Sequence, residues 1–318
     1  MTARARSAAE NPPATTWTVP EPHAVFDVPL DDGATIRVRR HGKLDGTRIY
    51  LSHGNGFAAD GYLPFWSRLV DRCELLVFDF RDHGQNQPGD PTHHTYEQMT
   101  RDLERVYQTM TARLGPKPSV GVFHSMSART AMKHAIEIGW RWDALVLFDP
   151  PNMPPPDHPT YPAMSAFEIK LVEWARGRRA RFADPSELAA DYAAPRANRA
   201  WVAGAHDLMA RSVLRRDEAR GDWALSCAPA LESAIYHAAL GLNLWPSAKL
   251  YGGPVKLIGA DPAVLYGPPT GLANRAIAAE HGYDYVAIPG TGHMLQIEQP
   301  AACVEALLGF LAANGIPA

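Results

Sequence analysis

One stretch of this chain reads Val122-Phe123-His124-Ser125-Met126-Ser127-Ala128. It joins a short apolar run, Ser119 to Phe123, to a helical pattern that continues through Ile138. A serine at such a strand-to-helix turn has its hydroxyl exposed above the sheet, beside the first amides of the helix, which can stabilise an oxyanion. The turn is tight and needs small neighbours, which Ser127 and Ala128 supply. The stretch predicts a nucleophilic Ser125.

A second segment could supply part of an oxyanion hole. An apolar strand over Arg48 to Ser52 leads into His53-Gly54-Asn55-Gly56-Phe57. Two glycines around Asn55 allow the backbone to present its amides to a cleft. We therefore expect the amides of Met126 and Asn55 to hold the oxyanion, and His53 to support that loop from below.

A histidine and two aspartates also follow apolar strands. His293 lies on Gly290-Thr291-Gly292 after a strand, and Asp261 and Asp149 each end another strand. Parallel strands place such residues at one edge of a sheet, so Ser125, an aspartate and His293 are expected to meet there. By contrast, His124 is expected to point to the face opposite Ser125, because successive side chains of a strand alternate.

In these motifs the chain resembles the α/β-hydrolases, over about residues 24 to 312. The matching residues are His53-Gly54, the segment from Asp79 to Asn86, the serine turn, Asp261 and Gly292-His293. The resemblance implies a mostly parallel eight-stranded sheet flanked by helices, with a helical cap inserted after strand 6. It also implies Asp261 as the triad acid, because this fold usually carries it after strand 7, with Asp149 as the alternative.

One position departs from the pattern of that family. The family turn is usually Gly-x-Ser-x-Gly, whereas this chain has Phe123 and Ser127 at the two glycine positions. Phe123 must find room beside a tight turn, and Ser127 is an alternative nucleophile. The sterics of the turn favour Ser125, because Arg129 is bulky where Ser127 would need a small neighbour.

The organisation along the chain is predicted in three parts. Residues 1-22 form a disordered tail, residues 23-150 and 254-318 form the core, and residues 151-253 form the cap. Phe57, Tyr236 and Trp245 are expected to line the substrate pocket. Helical patterns in the cap span Phe167 to Arg178, Pro185 to Tyr192, Asp207 to Arg215, and Leu231 to Leu244.

Composition fits a cytoplasmic enzyme. The chain has 318 residues, 46% hydrophobic content and a net charge of -3, which gives no reason to expect nucleic acid or a membrane surface. Its three scattered cysteines are expected to be free thiols. His93 and His94 lack further residues at ligand spacing, so no metal is expected, and no cofactor is required.

These observations predict a serine hydrolase that cleaves a carboxylic ester, thioester or lactone. His293 would deprotonate Ser125, an acyl-serine intermediate would form, and water would release the acid. The alternatives are hydrolysis of a carbon-carbon bond in ring-fission products, another cofactor-free activity on this scaffold, and a ligand receptor without turnover. The expected partner is a small-molecule acyl substrate, and the sequence leaves a homodimer open.

Overall fold

The computed structural model describes residues 16–245, 251–264 and 267–318. Within them an eight-stranded sheet has the order β1-β2-β4-β3-β5-β6-β10-β11. Only β1 and β2 pair antiparallel to their neighbours, which confirms the predicted mostly parallel sheet. The strands are β1 Ala24–Pro29, β2 Thr35–Gly42, β3 Arg48–Leu51, β4 Glu74–Phe78, β5 Ser119–His124, β6 Ala144–Phe148, β10 Val255–Gly259 and β11 Asp284–Ala287.

Burial explains why these segments form strands. Every residue of β3, β4, β5, β6 and β10 is buried, as expected for parallel strands covered on both faces. β1 instead alternates between more and less exposed residues, which fits an antiparallel strand at the edge of the sheet. Because β3, β5, β6 and β10 are parallel neighbours, their carboxyl ends lie side by side at one edge of the sheet.

Helices cover the two faces of the sheet. One hydrophobic cluster joins the sheet to α1, α9 and α10, and a second joins it to α2, α3 and α8. These helices are α1 Leu63–Trp66, α2 Tyr96–Leu114, α3 Met126–Glu137, α8 Thr270–His281, α9 Leu295–Glu298 and α10 Pro300–Ala313. Short 3-10 turns occur at Ala59–Tyr62, Ser67–Leu69, Pro91–His93 and Arg196–Asn198.

The segment between β6 and β10 contains helices and a small sheet. Its helices are α4 Tyr161–Arg176, α5 Pro185–Ala193, α6 Ala205–Val213 and α7 Pro229–Ala239. A three-stranded antiparallel sheet has the order β7-β9-β8, with β7 Arg181–Phe182, β8 Leu214–Asp217 and β9 Asp222–Leu225. The insertion thus contains helices, as predicted, together with a small sheet that was not predicted.

The sequence pattern missed these strands because they are short. The predicted helix over Asp207 to Arg215 ends at Val213, where the chain enters a hairpin that turns at Gly221. A two-residue strand such as β7 has no detectable alternation, and it pairs with β9 only because tertiary structure brings the two together.

The amino-terminal end of the described chain is attached to the insertion. Trp17 packs on the hydrophobic core, and its Nε1 donates a hydrogen bond of 2.9 Å to the carbonyl of Ala203. The predicted tail therefore has contacts before residue 22, while residues 1–15 lie outside the described part. Cys73, Cys227 and Cys303 are free and buried. Among the described residues, no helix combines the length and apolar character needed to cross a membrane.

Candidate active site

Ser125 lies at a strained turn between β5 and α3. Its backbone has φ 53° and ψ −113°, a conformation that non-glycine residues rarely adopt. The turn is fixed because the Ser125 amide donates to the carbonyl of Phe148 at 3.0 Å, and the next residue, Met126, begins α3. The side chain is thus directed out of the regular strand at the carboxyl edge of the sheet.

Phe123 fits beside this turn because Gly121 has no side chain. Phe123 is completely buried and packs edge-on against Phe78 and Trp142. A Cβ added at Gly121 would lie 2.6 Å from Cε2 of Phe123. Gly121 therefore provides the space that the large residue at the first family position requires.

Ser127 holds the turn together through its own backbone. Its Oγ donates to the carbonyl of His124 and accepts from the His124 amide, each at 2.9 Å. Its side chain is fully buried. The hydroxyl is used within the turn, and His293 contacts Ser125 instead.

His293 connects Ser125 to an acid. Its Nε2 lies 2.9 Å from Oγ of Ser125, and its Nδ1 lies 2.6 Å from Oδ2 of Asp149. Asp149 is fully buried and also accepts hydrogen bonds from Thr270 and Asn274. Burial raises the pKa of the Asp149 carboxyl. Hydrogen bonds from His293, Thr270 and the Ala260 amide outweigh this effect and lower the pKa below its ordinary value.

The structure corrects the predicted pairing of His293 with Asp261. Asp261 ends β10 as expected, but its carboxylate accepts from the amides of Ala263 and Gly290, at 2.8 Å each. These two hydrogen bonds lower the pKa of Asp261. Asp261 therefore supports the loop that carries His293, whereas Asp149, the alternative acid, contacts the imidazole.

The segment after β3 lies against the serine. A Cβ added at Gly54 would be 3.2 Å from Cβ of Ser125, so a side chain there would require its neighbours to shift. In the described part of the chain, the amides of Asn55 and Met126 have no hydrogen-bond partner. Two free amides beside a serine hydroxyl are an arrangement that can hold an oxyanion.

The insertion contacts this same segment through Glu232 of α7. The carbonyl of Glu232 accepts from Nδ2 of Asn55 at 2.8 Å, and a Cβ at Gly56 would clash with its carboxylate. Glu232 is buried in an ion pair with Arg178, although burial still raises the pKa of its carboxyl. One residue of the insertion thus contacts both Asn55, through its carbonyl, and Gly56, through its carboxylate.

Two of the three predicted pocket residues lie on this side of the molecule. Phe57 is partly buried against the rings of Tyr192 and Trp201 in the insertion. Tyr236 is one helical turn beyond Glu232 on α7, so the two share a face of that helix. Burial and the nearby carboxylate of Glu232 raise the pKa of Tyr236.

Trp245 is the third predicted pocket residue, and its described contacts are with His158 and with α8. It is buried in the second hydrophobic cluster, which also includes residues of α3, α7 and α8. Its Nε1 donates to Oε2 of Glu280 at 2.7 Å, and its ring packs on His158. Trp245 therefore links the end of the insertion to α8 through this hydrogen bond.

Three buried side chains form the described cluster with ligand atoms close enough for a metal: His83, His94 and Cys227, within 4.8 Å of one another. The two nitrogens of His83 already contact the Gly56 amide and the Arg81 carbonyl. Nδ1 of His94 contacts Asp82 at 2.7 Å. His83 can therefore bind a metal only by giving up a backbone contact, which argues against a metal role.

His124 was expected to point to the face opposite Ser125, but it contacts His293. Its ring centroid is 4.7 Å from that of His293, and its nitrogens contact Tyr62 and the His293 carbonyl. Burial and the neighbouring His293 lower the pKa of His124 to about 3. The adjacency of His124 to Ser125 was the available signal, whereas nothing in the sequence singled out Tyr62.

Comparisons with known proteins agree with this architecture. Residues 49–306 match the model of the alpha/beta hydrolase family. E-2-(acetamidomethylene)succinate hydrolase has a TM-score of 0.72 at 18% identity, covering 91% of this chain and 100% of that one. An esterase from Exiguobacterium antarcticum has a TM-score of 0.68 at 15% identity, covering 90% and 98%.

A shorter match is found among curated proteins. Human protein phosphatase methylesterase 1 is 30% identical over 103 residues, which is 32% of this chain. The aligned part spans 26% of that protein, about a quarter of its length. The family match covers most of the chain and agrees with the sheet order and the strand-to-helix turn, and so this chain belongs to the α/β hydrolase family.

Proposed function

We propose that this protein is a serine hydrolase that cleaves a carboxylic ester, thioester or lactone through an acyl-serine intermediate. The observation that carries the proposal is the unbroken contact from Asp149 through His293 to Ser125, at 2.6 Å and 2.9 Å. Such an alignment lets one imidazole take a proton from the serine while a buried carboxylate holds its tautomer.

In the first half of the reaction, His293 acts together with both of its neighbours, Ser125 and Asp149. Nε2 of His293 removes the Ser125 proton as Oγ attacks the substrate carbonyl. The ionised Asp149 accepts from Nδ1 and stabilises the imidazolium that forms. His293 then donates the proton to the leaving alcohol or thiol, and the acyl group remains on Ser125.

The amides of Asn55 and Met126 hold the negative oxygen of the tetrahedral intermediate. Both are free in the described part of the chain, and Gly54 allows the loop to approach Ser125 closely. Fixed donors in a water-poor site stabilise a developing charge without reorganisation. In the second half, His293 activates water, which attacks the acyl-serine and releases the acid.

Ester-type substrates are proposed because they require nothing beyond these groups. The family relatives include proteins named as an esterase, a thioesterase domain from the curacin biosynthetic pathway, and a methylesterase. The insertion contacts Asn55 through Glu232, and we propose that it acts as a cap in which Tyr236, together with Phe57 after β3, selects the acyl chain.

A fluorophosphonate probe tests the nucleophile directly. The probe should label the protein, and Ser125→Ala should abolish labelling and lower turnover of p-nitrophenyl esters by about a thousandfold or more. Ser127→Ala is the matched control, since that hydroxyl only closes the turn; it should still be labelled. Labelling that survives Ser125→Ala but is lost in Ser127→Ala would contradict the proposal.

A further inference from the structure

A continuous chain of hydrogen bonds joins the segment that carries His293 to residues 53–57 after β3, here called the oxyanion segment. The amide of Gly54 lies 3.1 Å from Oη of Tyr62, which lies 2.8 Å from Nδ1 of His124. Nε2 of His124 lies 2.9 Å from the carbonyl of His293. Tyr62 and His124 are both fully buried, so water does not compete for these contacts.

Only one arrangement of protons satisfies this chain. The His293 carbonyl can only accept, so Nε2 of His124 must carry a proton and donate it. Burial keeps His124 neutral, which leaves its Nδ1 as an acceptor for the Tyr62 hydroxyl. That hydroxyl in turn accepts from the Gly54 amide. Each hydrogen bond is therefore donated towards His293, from the Gly54 amide to Tyr62, from Tyr62 to His124, and from His124 to the His293 carbonyl.

Several hydrogen bonds hold the segment around His293, including those of Thr291 with Ile288 and with the amide of Asp261. Asp261 holds the amide of Gly290, and Glu298 holds the amide of Gly292 at 2.5 Å. His124 holds the backbone carbonyl of His293 itself, the residue that carries the imidazole. An error of about 1 Å in the placement of a reacting group can lower a rate a hundredfold.

We propose that Tyr62 and His124 are positioning residues that fix Gly54 and His293 relative to one another, so that the oxyanion amides and the base are aligned on Ser125 together. The inference rests on the proposed hydrolase function, and it adds to the triad a pair of residues that never touch the substrate.

The first test does not need catalysis. Long-range proton–nitrogen correlation spectra of protein carrying isotope-labelled histidine report the tautomer of each ring. The His124 signals are identified by their loss in His124→Gln. The expected result at neutral pH is a neutral ring protonated at Nε2, with the Nδ1 signal shifted in Tyr62→Phe. A ring protonated at Nδ1, or a charged ring, would overturn the proposal whether or not the protein hydrolyses esters.

The second test compares variants that keep or remove single hydrogen bonds of this series. His124→Gln retains an amide donor near the position of Nε2 and should stay within about threefold of the original kcat, whereas His124→Asn is too short and should lose about tenfold. Tyr62→Phe should lose about tenfold in kcat with KM within about twofold. Tyr283→Phe is the control, because its hydroxyl lacks a partner in the described part of the chain.

A double variant distinguishes a positioning role of Tyr62 and His124 from an effect on stability alone. Because Tyr62 and His124 act in one chain, Tyr62→Phe combined with His124→Asn should be little worse than the poorer single variant. Losses in kcat that multiply would overturn the proposal, as would an unchanged kcat accompanied only by a lower melting temperature. If instead no form of the protein is labelled by the fluorophosphonate, the hydrolase function fails while the tautomer result stands.

Discussion

The carboxylate of Asp149 lies 2.6 Å from Nδ1 of His293, across 144 residues of sequence. Asp149 has a positive φ of 40°, so the chain bends sharply directly after β6. Its other contacts, from Thr270, Asn274 and the Ala260 amide, leave the carboxylate no freedom to turn away. A carboxylate fixed in this way can hold one imidazole tautomer throughout a reaction.

Replacing this acid should therefore be far more damaging than replacing its neighbour on β10. Asp149→Asn should lower kcat on p-nitrophenyl esters by about a thousandfold or more, because the amide favours the wrong imidazole tautomer. Asp261→Asn keeps a side-chain acceptor for the Gly290 amide and should cost less than about tenfold. Steady-state kinetics on both variants give the comparison, and the opposite ranking would return Asp261 to the triad.

Asp149 should also contribute to stability in a defined pH range. Its pKa is lower in the folded protein than in the unfolded chain, so its contribution is fully present above the unfolded value of about 3.9. The contribution is lost as pH falls through the lower, folded value. The difference in unfolding free energy between the original protein and Asp149→Asn, measured with urea, should shrink below about pH 4. A constant difference at lower pH would show that Asp149 is not ionised in the fold.

The packing of Phe123 on Gly121 gives a prediction about the serine turn. Gly121→Ala would place a methyl group against Phe123 and Leu145, within a fully buried strand. The overpacking should destabilise the protein by about 1–3 kcal/mol. Combining it with Phe123→Leu, which removes ring atoms at the contact, should recover part of the loss. Thermal unfolding of the two single variants and the double variant measures this, and additive losses would mean that the two positions do not share the space.

Sequence reasoning singled out Ser125 and His293, which the structure brings together, and it preferred Asp261 to Asp149 as their acid. Ser125 and His293 lie in local patterns, a strand followed by small residues, which are read directly along the chain. Asp149 and Asp261 follow neighbouring strands, β6 and β10, and have equivalent sequence contexts. The choice between them depends on tertiary contacts: both oxygens of Asp261 accept from backbone amides, whereas Oδ2 of Asp149 contacts Nδ1 of His293.

The same limit applies to Phe123 and to the insertion. The departure at Phe123 looked unfavourable because its compensation at Gly121 is two residues away on the same strand and acts only through packing. The small sheet of the insertion pairs β7 with β9, whose partners Arg181 and Ala224 are far apart in sequence. Local periodicity carries no information about such contacts.

The contact between Gly56 and Glu232 predicts that the insertion controls the oxyanion segment. Gly56→Ala would push a methyl group into the Glu232 carboxylate and displace the neighbouring Asn55 amide. The loss of one oxyanion donor should lower kcat by about a hundredfold. Gly221→Ala is a matched control, since both glycines have φ +73° but nothing lies within 4 Å of a Cβ at Gly221. If both variants lose kcat equally, backbone strain rather than the Glu232 contact is responsible.

Tyr236 and Trp245, two of the three aromatic residues predicted to line the pocket, should behave differently. Tyr236 shares a face of α7 with Glu232, which closes over the oxyanion segment, so Tyr236→Ala should change the ratio of turnover on short and long acyl esters. Trp245 packs on His158 and donates to Glu280, away from that segment, so Trp245→Ala should leave the ratio unchanged. It should instead destabilise the protein by about 3–5 kcal/mol, as expected for the truncation of a buried aromatic residue.

A series of p-nitrophenyl esters of increasing chain length, together with thermal unfolding, measures both effects. Fluorophosphonate labelling of Ser125 should stay within about tenfold in both variants, because neither substitution alters the triad or the oxyanion amides. This labelling rate shows that a changed ester preference comes from the pocket and not from a damaged nucleophile. A shift in chain-length preference in Trp245→Ala, with none in Tyr236→Ala, would place the acyl pocket at the α8 end of the insertion rather than beneath α7.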